Sequence, residues 1–272
     1  MEPPRRPLAL GFVALGVLAA VALGPLPPAR RGLARWGLLL GLPLVVGALG
    51  QLFGPTHRHL PHPAEVRVPR LRRLPLVLAL VALDFSPLAA GWALGWISFA
   101  PGEAPLTATR WLVLLLAFPV IGFVSTVGWE WGLRARLAGP WIAVGHPRRA
   151  LLASAVAGAA LTLPVVAPGL RVLDGAFLAS GLACALLREA VAVRLFRRRG
   201  VLLSGAWRTF VVSIEALVVA DALSFWLPSV GYAASVPAFH ALRVAGPLAA
   251  ALLAWGFLGR LDRLDAERRR HP

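Results

Sequence analysis

Eight apolar runs, each of about 18 residues or more, take up most of this chain: roughly 8–25, 36–53, 74–99, 111–133, 150–167, 175–193, 201–226 and 235–258. An uninterrupted run of that length reads as a transmembrane helix, because about 20 residues of α-helix cross the hydrocarbon of a bilayer. The joining segments are short and hold Pro, Gly and Arg, which leaves no stretch for a soluble domain. The chain is 58% hydrophobic, with a mean hydropathy of +0.73. Residues 1–272 are therefore expected to form one integral membrane domain, all-α and polytopic, with about eight transmembrane helices. No internal repeat of fixed period is visible.

The formal net charge of +16 comes from 28 basic residues, all of them Arg. A nucleic-acid-binding protein would gather such charge on one soluble face, whereas here it sits between the apolar runs, so no nucleic-acid partner is expected. With the N-terminus in the cytoplasm, twenty Arg fall inside: Arg5 and Arg6, five across 58–73, four across 134–149, four across 194–199 and five across 260–270. Only Arg30, Arg31, Arg35, Arg110 and Arg171 fall outside. The positive-inside rule then puts both termini in the cytoplasm. Trp36, Trp111, Trp141, Trp207, Trp226 and Trp255 lie near run ends, as an aromatic belt would. Run 8–25 follows Arg5-Arg6 as a secretory leader would. No clear small-residue cleavage site precedes Pro25-Leu26-Pro27-Pro28, so the run reads as the first span. The single Cys184 excludes an intrachain disulfide. Arg without Lys suggests a GC-rich genome, hence a bacterial cytoplasmic membrane.

Ionisable residues inside apolar runs are expensive and point to partners or function. At 1.5 Å per residue, Asp84, Glu130, Arg134, Arg188, Glu189 and Arg208 fall at similar depth in the cytoplasmic half. Glu215 lies near the middle, and Asp221, His240 and Arg243 lie further out. Six at one depth predict an internal polar cavity open to the cytoplasm. Glu130 and Arg134, four residues apart, share one helix face and are expected to pair. Glu215, seven residues from Arg208 on the same face, is the expected partner of that Arg.

Two further patterns have blander readings. His57-Arg58-His59-Leu60-Pro61-His62 has imidazoles at spacings that suit a transition metal, but the five nearby Arg disfavour a bound cation. It reads as a solvated juxtamembrane loop in contact with anionic lipid. Cys184, Arg208 and His240 are the reactive residue types of exosortase-like membrane transpeptidases, which Phe239-His240-Ala241-Leu242 faintly resembles. Their estimated depths separate them, and a nucleophile must lie within hydrogen-bond reach of its base. Cys184 then reads as a small buried side chain.

Trp129-Glu130-Trp131-Gly132-Leu133-Arg134 resembles the first motif of the CAAX protease and bacteriocin-processing family of intramembrane proteases, Glu-Glu-x-x-x-Arg, in which Gly is frequent where Gly132 stands. The likeness continues through a short loop into a helix from Leu151 ending Thr162-Leu163-Pro164, where the family has a His-Leu-Pro-like end. It goes on through Arg197-Arg198-Arg199-Gly200-Val201-Leu202, which opens a helix where the family carries His-x-x-x-Asn, near Thr209 and Ser213. The resemblance covers about residues 75–225. It implies an intramembrane endopeptidase acting on a membrane-anchored peptide or protein, with zinc as a cofactor if active. The chain departs from the motif at three places. Trp129 replaces the first Glu, and Thr162 and Thr209 replace two His. Neither a Trp nor a neutral Thr can act as a base near neutral pH.

The expected protein is thus a catalytically diverged member of that family. It would bind a peptide, a membrane-protein segment or a lipid in a polar cavity lined by Trp129, Thr162, Arg208, Thr209, Ser213 and Glu215, with Glu130 and Arg134 at the family's catalytic positions. No metal or other cofactor is expected, unless His240 serves a relocated site. The alternatives are an active endopeptidase with a non-standard site and a small transporter or channel. The topology has a direct test. Reporter fusions after Arg58 and Arg198 should read cytoplasmic and one after Gly102 external; the opposite reading at any of the three would overturn the span assignment.

Overall fold

A computed structural model describes residues 6–23, 25, 41–52, 74–96, 123, 126–166, 175–214 and 237–270. The described residues are all-α. They form α1 (Arg6–Ala22), α2 (41–52), α3 (Leu74–Ala93), α4 (126–143), α5 (Pro147–Val166), α6 (Gly175–Arg199), α7 (Val201–Ile214) and α8 (Pro237–Arg270). Each of the eight apolar runs therefore carries helix. Two stretches are long and apolar enough to cross a membrane, Leu74–Ala93 and Pro237–Phe257. Shorter apolar helices cover Leu8–Ala22, Gly41–Leu52 and Val201–Val211. Pro87, Pro164 and Pro247 lie inside α3, α5 and α8.

The centre of α4 is unusual. Trp131–Ala138 forms a π-helix, and Gly139 N–H donates to the Arg134 carbonyl five residues back. π turns are rare and occur mostly at functional sites. Gly132 to Ala138 are buried without exception, Arg134 and Arg136 among them. Helices enclose this stretch: α2 packs against it through glycines, and α5, α6 and α7 also touch it. A Cβ on Gly132 would lie 2.5 Å from the Val46 carbonyl oxygen, and one on Gly128 would lie 2.7 Å from that of Pro43. The glycines let the two backbones meet directly, the small-residue contact that membrane helices favour.

Two apolar clusters flank this helix. One joins Leu8 and Phe12 of α1, Leu42 and Val46 of α2, Trp129, Leu133 and Leu137 of α4, and Ala157 and Leu161 of α5. The other joins Val77 and Leu80 of α3, Val191 and Leu195 of α6, Leu203 and Trp207 of α7, and Ala250 and Ala254 of α8. Trp207, expected in an interfacial belt, is 1% exposed and fills this second cluster. Its position near a run end placed it at the rim, but its helix face turns inward. Among the described residues, Trp92 and Trp96 are the exposed indoles. Trp36, Trp111 and Trp226 lie outside the described residues.

Beside its apolar clusters the bundle buries an unusual number of charges and exposes large apolar side chains. Asp84, Glu130, Arg134, Arg136, Glu189, Arg194 and Arg243 are buried, while Leu10, Leu18, Leu52, Leu152, Leu252 and Phe257 are each half-exposed or more. Charged residues are almost never fully buried in soluble proteins unless paired.

The reversal from α6 to α7 takes one residue, Gly200, whose φ of +78° suits glycine, and whose N–H caps the Phe196 carbonyl at 2.8 Å. That short turn brings the ends of α6 and α7 side by side.

The glycine contact predicts opposite outcomes for the same chemical change at two sites. Gly132→Ala should destabilise by about 1–3 kcal/mol through overpacking, read as a lower melting temperature in detergent. Gly11→Ala, where an added Cβ meets nothing within 4 Å, should leave that temperature unchanged or raise it, since Ala is the better helix former. Equal losses at both sites would refute the direct α2–α4 contact.

Candidate functional site

Glu130 and Arg134 pair as their spacing predicts, with Arg134 Nε 3.3 Å from Glu130 Oε2 and both side chains fully buried. The pair is half of a larger arrangement. Arg208 on α7 donates from Nε to Glu130 Oε1 at 2.7 Å and from Nη2 to Glu189 Oε1 on α6. Arg134 Nη2 closes the circuit on Glu189 Oε2. The result is a closed ring, Glu130–Arg134–Glu189–Arg208, in which two carboxylates and two guanidiniums alternate. Ser154 of α5 braces it, accepting a hydrogen bond from Arg134 Nη1 and donating to Glu189 Oε2 at 3.5 Å. All four carboxylate oxygens face a guanidinium, and the ring's formal charge sums to zero.

Local packing explains why these side chains meet. The wider turn of α4 carries Glu130 and Arg134 on one face toward α6 and α7. Gly158 on α5 makes room for the opposite carboxylate, since a Cβ there would lie 2.5 Å from Glu189 Cδ. Gly205, one turn before Thr209, lies beside Glu130, where an added Cβ would make an ordinary 3.9 Å contact with Glu130 Cγ. Trp129 forms one wall, its ring centroid 4.9 Å from Arg208 Cζ, a cation–π contact. The Trp129 indole Nε1 is buried and has no hydrogen-bond partner among the described residues. The Arg208 side chain is 12% exposed, against 0% for Glu130 and Arg134 and 3% for Glu189, so the ring opens outward at Arg208.

The remaining expected site residues are placed as follows. Thr209 is buried beside Arg208, where it donates to the Gly205 carbonyl and shares a 2.6 Å hydrogen bond with Thr126 of α4. Thr162 donates to the Ala159 carbonyl of its own helix at 2.7 Å. Ser213 lies on α7, but its side chain is outside the described residues, as are Glu215 and Asp221 entirely. Arg208 takes partners across helices from Glu130 and Glu189, and its expected pairing with Glu215 lies outside the described residues. The loop 57–62 also lies outside the described residues.

The six residues expected in one cavity separate into two sites. Asp84 and Arg188 form their own bidentate pair, Nε to Oδ2 at 3.0 Å and Nη2 to Oδ1 at 2.8 Å, with Arg188 Cζ 5.2 Å from the Phe85 ring centroid. Arg188 and Glu189 are consecutive, so on a helix of 3.6 residues per turn they point about 100° apart. Glu189 was legible by depth; nothing in the sequence marked it, or Ser154, as completing the Glu130–Arg134 pair.

Cys184, Arg208 and His240 do not converge on one another through any described hydrogen bond. Cys184 Sγ donates to the Arg243 carbonyl at 3.3 Å, and His240 Nδ1 and Ser180 Oγ are 3.0 Å apart. With Arg188–Asp84 these contacts make a polar ladder, Ser180, Cys184 and Arg188, along the face of α6 that meets α8 and α3. Among the described residues no three His, Cys, Asp or Glu side chains are grouped to hold a metal ion. No protein-family model, no curated protein and no solved structure matches the chain.

The ring has a specific energetic signature. Removing one member leaves an uncompensated buried charge, at a cost of about 3–5 kcal/mol. Glu189→Gln alone should therefore lower the melting temperature strongly, and Arg208→Leu alone should do the same. Combining them restores neutrality, and the double variant should lose less than the sum of the two. Strict additivity in this double-mutant cycle would show that the two groups are not coupled.

Proposed function

We propose that this chain is a multi-pass integral membrane protein with eight spans and both termini in the cytoplasm. In this reading it is organised like the CAAX protease and bacteriocin-processing family and holds a membrane-embedded ligand instead of cleaving one. The buried charges and apolar exterior support the bilayer. Buried charges surrounded by exposed Leu, Phe and Trp suit a hydrocarbon solvent, in which an unpaired charge is costly and an apolar exterior is not.

The observation that carries the non-catalytic reading is the closure of the ring. A general base must present a lone pair to the proton it takes, and here three of the four oxygens of Glu130 and Glu189 accept hydrogen bonds, while the fourth, Glu130 Oε2, makes no hydrogen bond and is buried 3.3 Å from Arg134 Nε. Where the resemblance would require imidazoles, Thr162 and Thr209 stand with their hydroxyls bonded to backbone carbonyls. Where it would require the water-activating Glu, Trp129 stands. The charges are then a scaffold that ties α4, α6 and α7 together. The donors left for a ligand are the Trp129 indole N–H, buried and without a partner among the described residues, and the partly exposed Arg208 guanidinium. Donors of this kind suit a hydrogen-bond acceptor, such as a carbonyl of a membrane-embedded peptide or of a lipid ester. The ladder along α6 favours a second reading, a small transporter, because it extends polar side chains beyond the ring.

A photo-crosslinking residue in place of Trp129 should give a discrete adduct in native membranes. The same residue in place of Leu152, 65% exposed on the apolar exterior, should give only diffuse lipid adducts. Identical patterns at the two positions would remove the ligand site. The purified protein should hold no stoichiometric zinc and leave co-expressed membrane-anchored substrates intact. Cleavage lost on Glu130→Gln would establish an active protease.

A further inference from the structure

One end of the bundle gathers basic side chains with tryptophan among them. The contacts that place them together are direct. Ala135, Phe196 and Val201 form one apolar cluster with Trp131 and Ile142, which sets the end of α4 against the α6–α7 turn. Arg194 of α6 lies with Cζ 5.4 Å from the Trp255 ring centroid, and the Trp255 indole donates to the Ala190 carbonyl at 3.1 Å. These contacts bring α8 to the same end. On the outer surface there, Arg148, Arg149, Arg197 and Arg260 are exposed. The first turn of α5, which holds Arg148 and Arg149, contains no carboxylate.

The turn between α4 and α5 is the most structured part of this surface. Gly145 takes φ +81°, and the His146 N–H donates to the Trp141 carbonyl at 2.8 Å. Trp141 packs near two side chains: Arg149 Cζ lies 5.5 Å over its ring centroid, and the His146 ring lies 6.3 Å away, tilted by 54°. An indole so placed anchors the turn at a membrane interface, where Trp is favoured. A guanidinium over an indole face still carries N–H donors in its own plane that can meet a phosphate. Two guanidiniums in the first turn of a helix also face the positive end of its macrodipole, a repulsion that a bound anion relieves.

We infer that this end of the bundle, centred on Trp141, His146, Arg148 and Arg149, is a binding surface for the phosphodiester headgroup of an anionic phospholipid. Charge complementarity selects the partner, and the adjacent apolar exterior supplies a place for its acyl chains. The inference rests on the membrane reading proposed above and does not depend on whether the ion ring binds or cleaves anything.

The test titrates the purified protein, in a neutral detergent, with phosphatidylglycerol or phosphatidylcholine and follows the melting temperature. Phosphatidylglycerol should raise it and phosphatidylcholine should not. Arg148→Gln with Arg149→Gln should require about thirtyfold more phosphatidylglycerol for the same rise, the fold-change expected when two arginines leave an anionic surface. Arg110→Gln, on the predicted outer side, should leave the titration unchanged. An equal response in wild type and the double variant would overturn the assignment. So would the same rise on adding inorganic phosphate alone, which would assign the site to a soluble anion. Extraction of cell membranes with alkaline carbonate separates this from the reading beneath it. Protein released by carbonate would sink the integral-membrane reading itself, whereas protein retained without a phosphatidylglycerol response would sink only the headgroup site.

Discussion

The ion ring of Glu130, Arg134, Glu189 and Arg208 is the interaction on which the rest of the packing depends. Three helices, α4, α6 and α7, each bring charge into the interior, and α5 adds Ser154. No one of these charges would be tolerable alone, because removing an ion from water costs several kcal/mol even after relaxation. The helices must therefore assemble in the register that closes the ring. That requirement explains the glycines around it. Gly158 yields space to the Glu189 carboxylate, and Gly128 and Gly132 let α2 approach α4 from behind. Apolar clusters on either side then pack as two halves, one on α1, α2, α4 and α5, the other on α3, α6, α7 and α8.

The π-helical stretch of α4 belongs to the same problem. Seven successive buried residues, two of them arginines, cannot turn a single polar face to a single neighbour. The wider π turn distributes them: Arg134 reaches the ring, while Arg136 reaches Gln51 of α2 and packs over the Trp131 ring, 5.6 Å from its centroid. Arg134 and Arg136 serve different sites for the same reason that Arg188 and Glu189 do. Adjacent or near-adjacent residues on a helix address different neighbours, so a helix rich in charge links separate polar sites.

Those two sites carry different chemistry. The ring is neutral and nearly sealed, and among its four members Arg208, beside Trp129, is the most exposed. The ladder on α6 is a series of separate bonds, Ser180 to His240, Cys184 to the Arg243 carbonyl and Arg188 to Asp84. Its members stand four residues apart, so one face of α6 contributes all three.

Sequence alone determined the all-α class, the position of the apolar helices and the Glu130–Arg134 pair, because each depends on local periodicity and composition. Run length, i, i+4 spacing and the depth of a charge are properties of one helix at a time. Depth also put Glu189 and Arg208 level with that pair. Only the tertiary structure decided that they close a ring while Asp84 and Arg188, at similar depth, stand apart. That outcome depends on helix rotation, which hydropathy does not encode when a helix is apolar on nearly every side. The same ignorance of rotation placed Trp207 at the rim when it fills the core. Ser154 had no sequence signal at all, since a lone hydroxyl in an Ala-rich helix is unremarkable until two charged neighbours are packed against it.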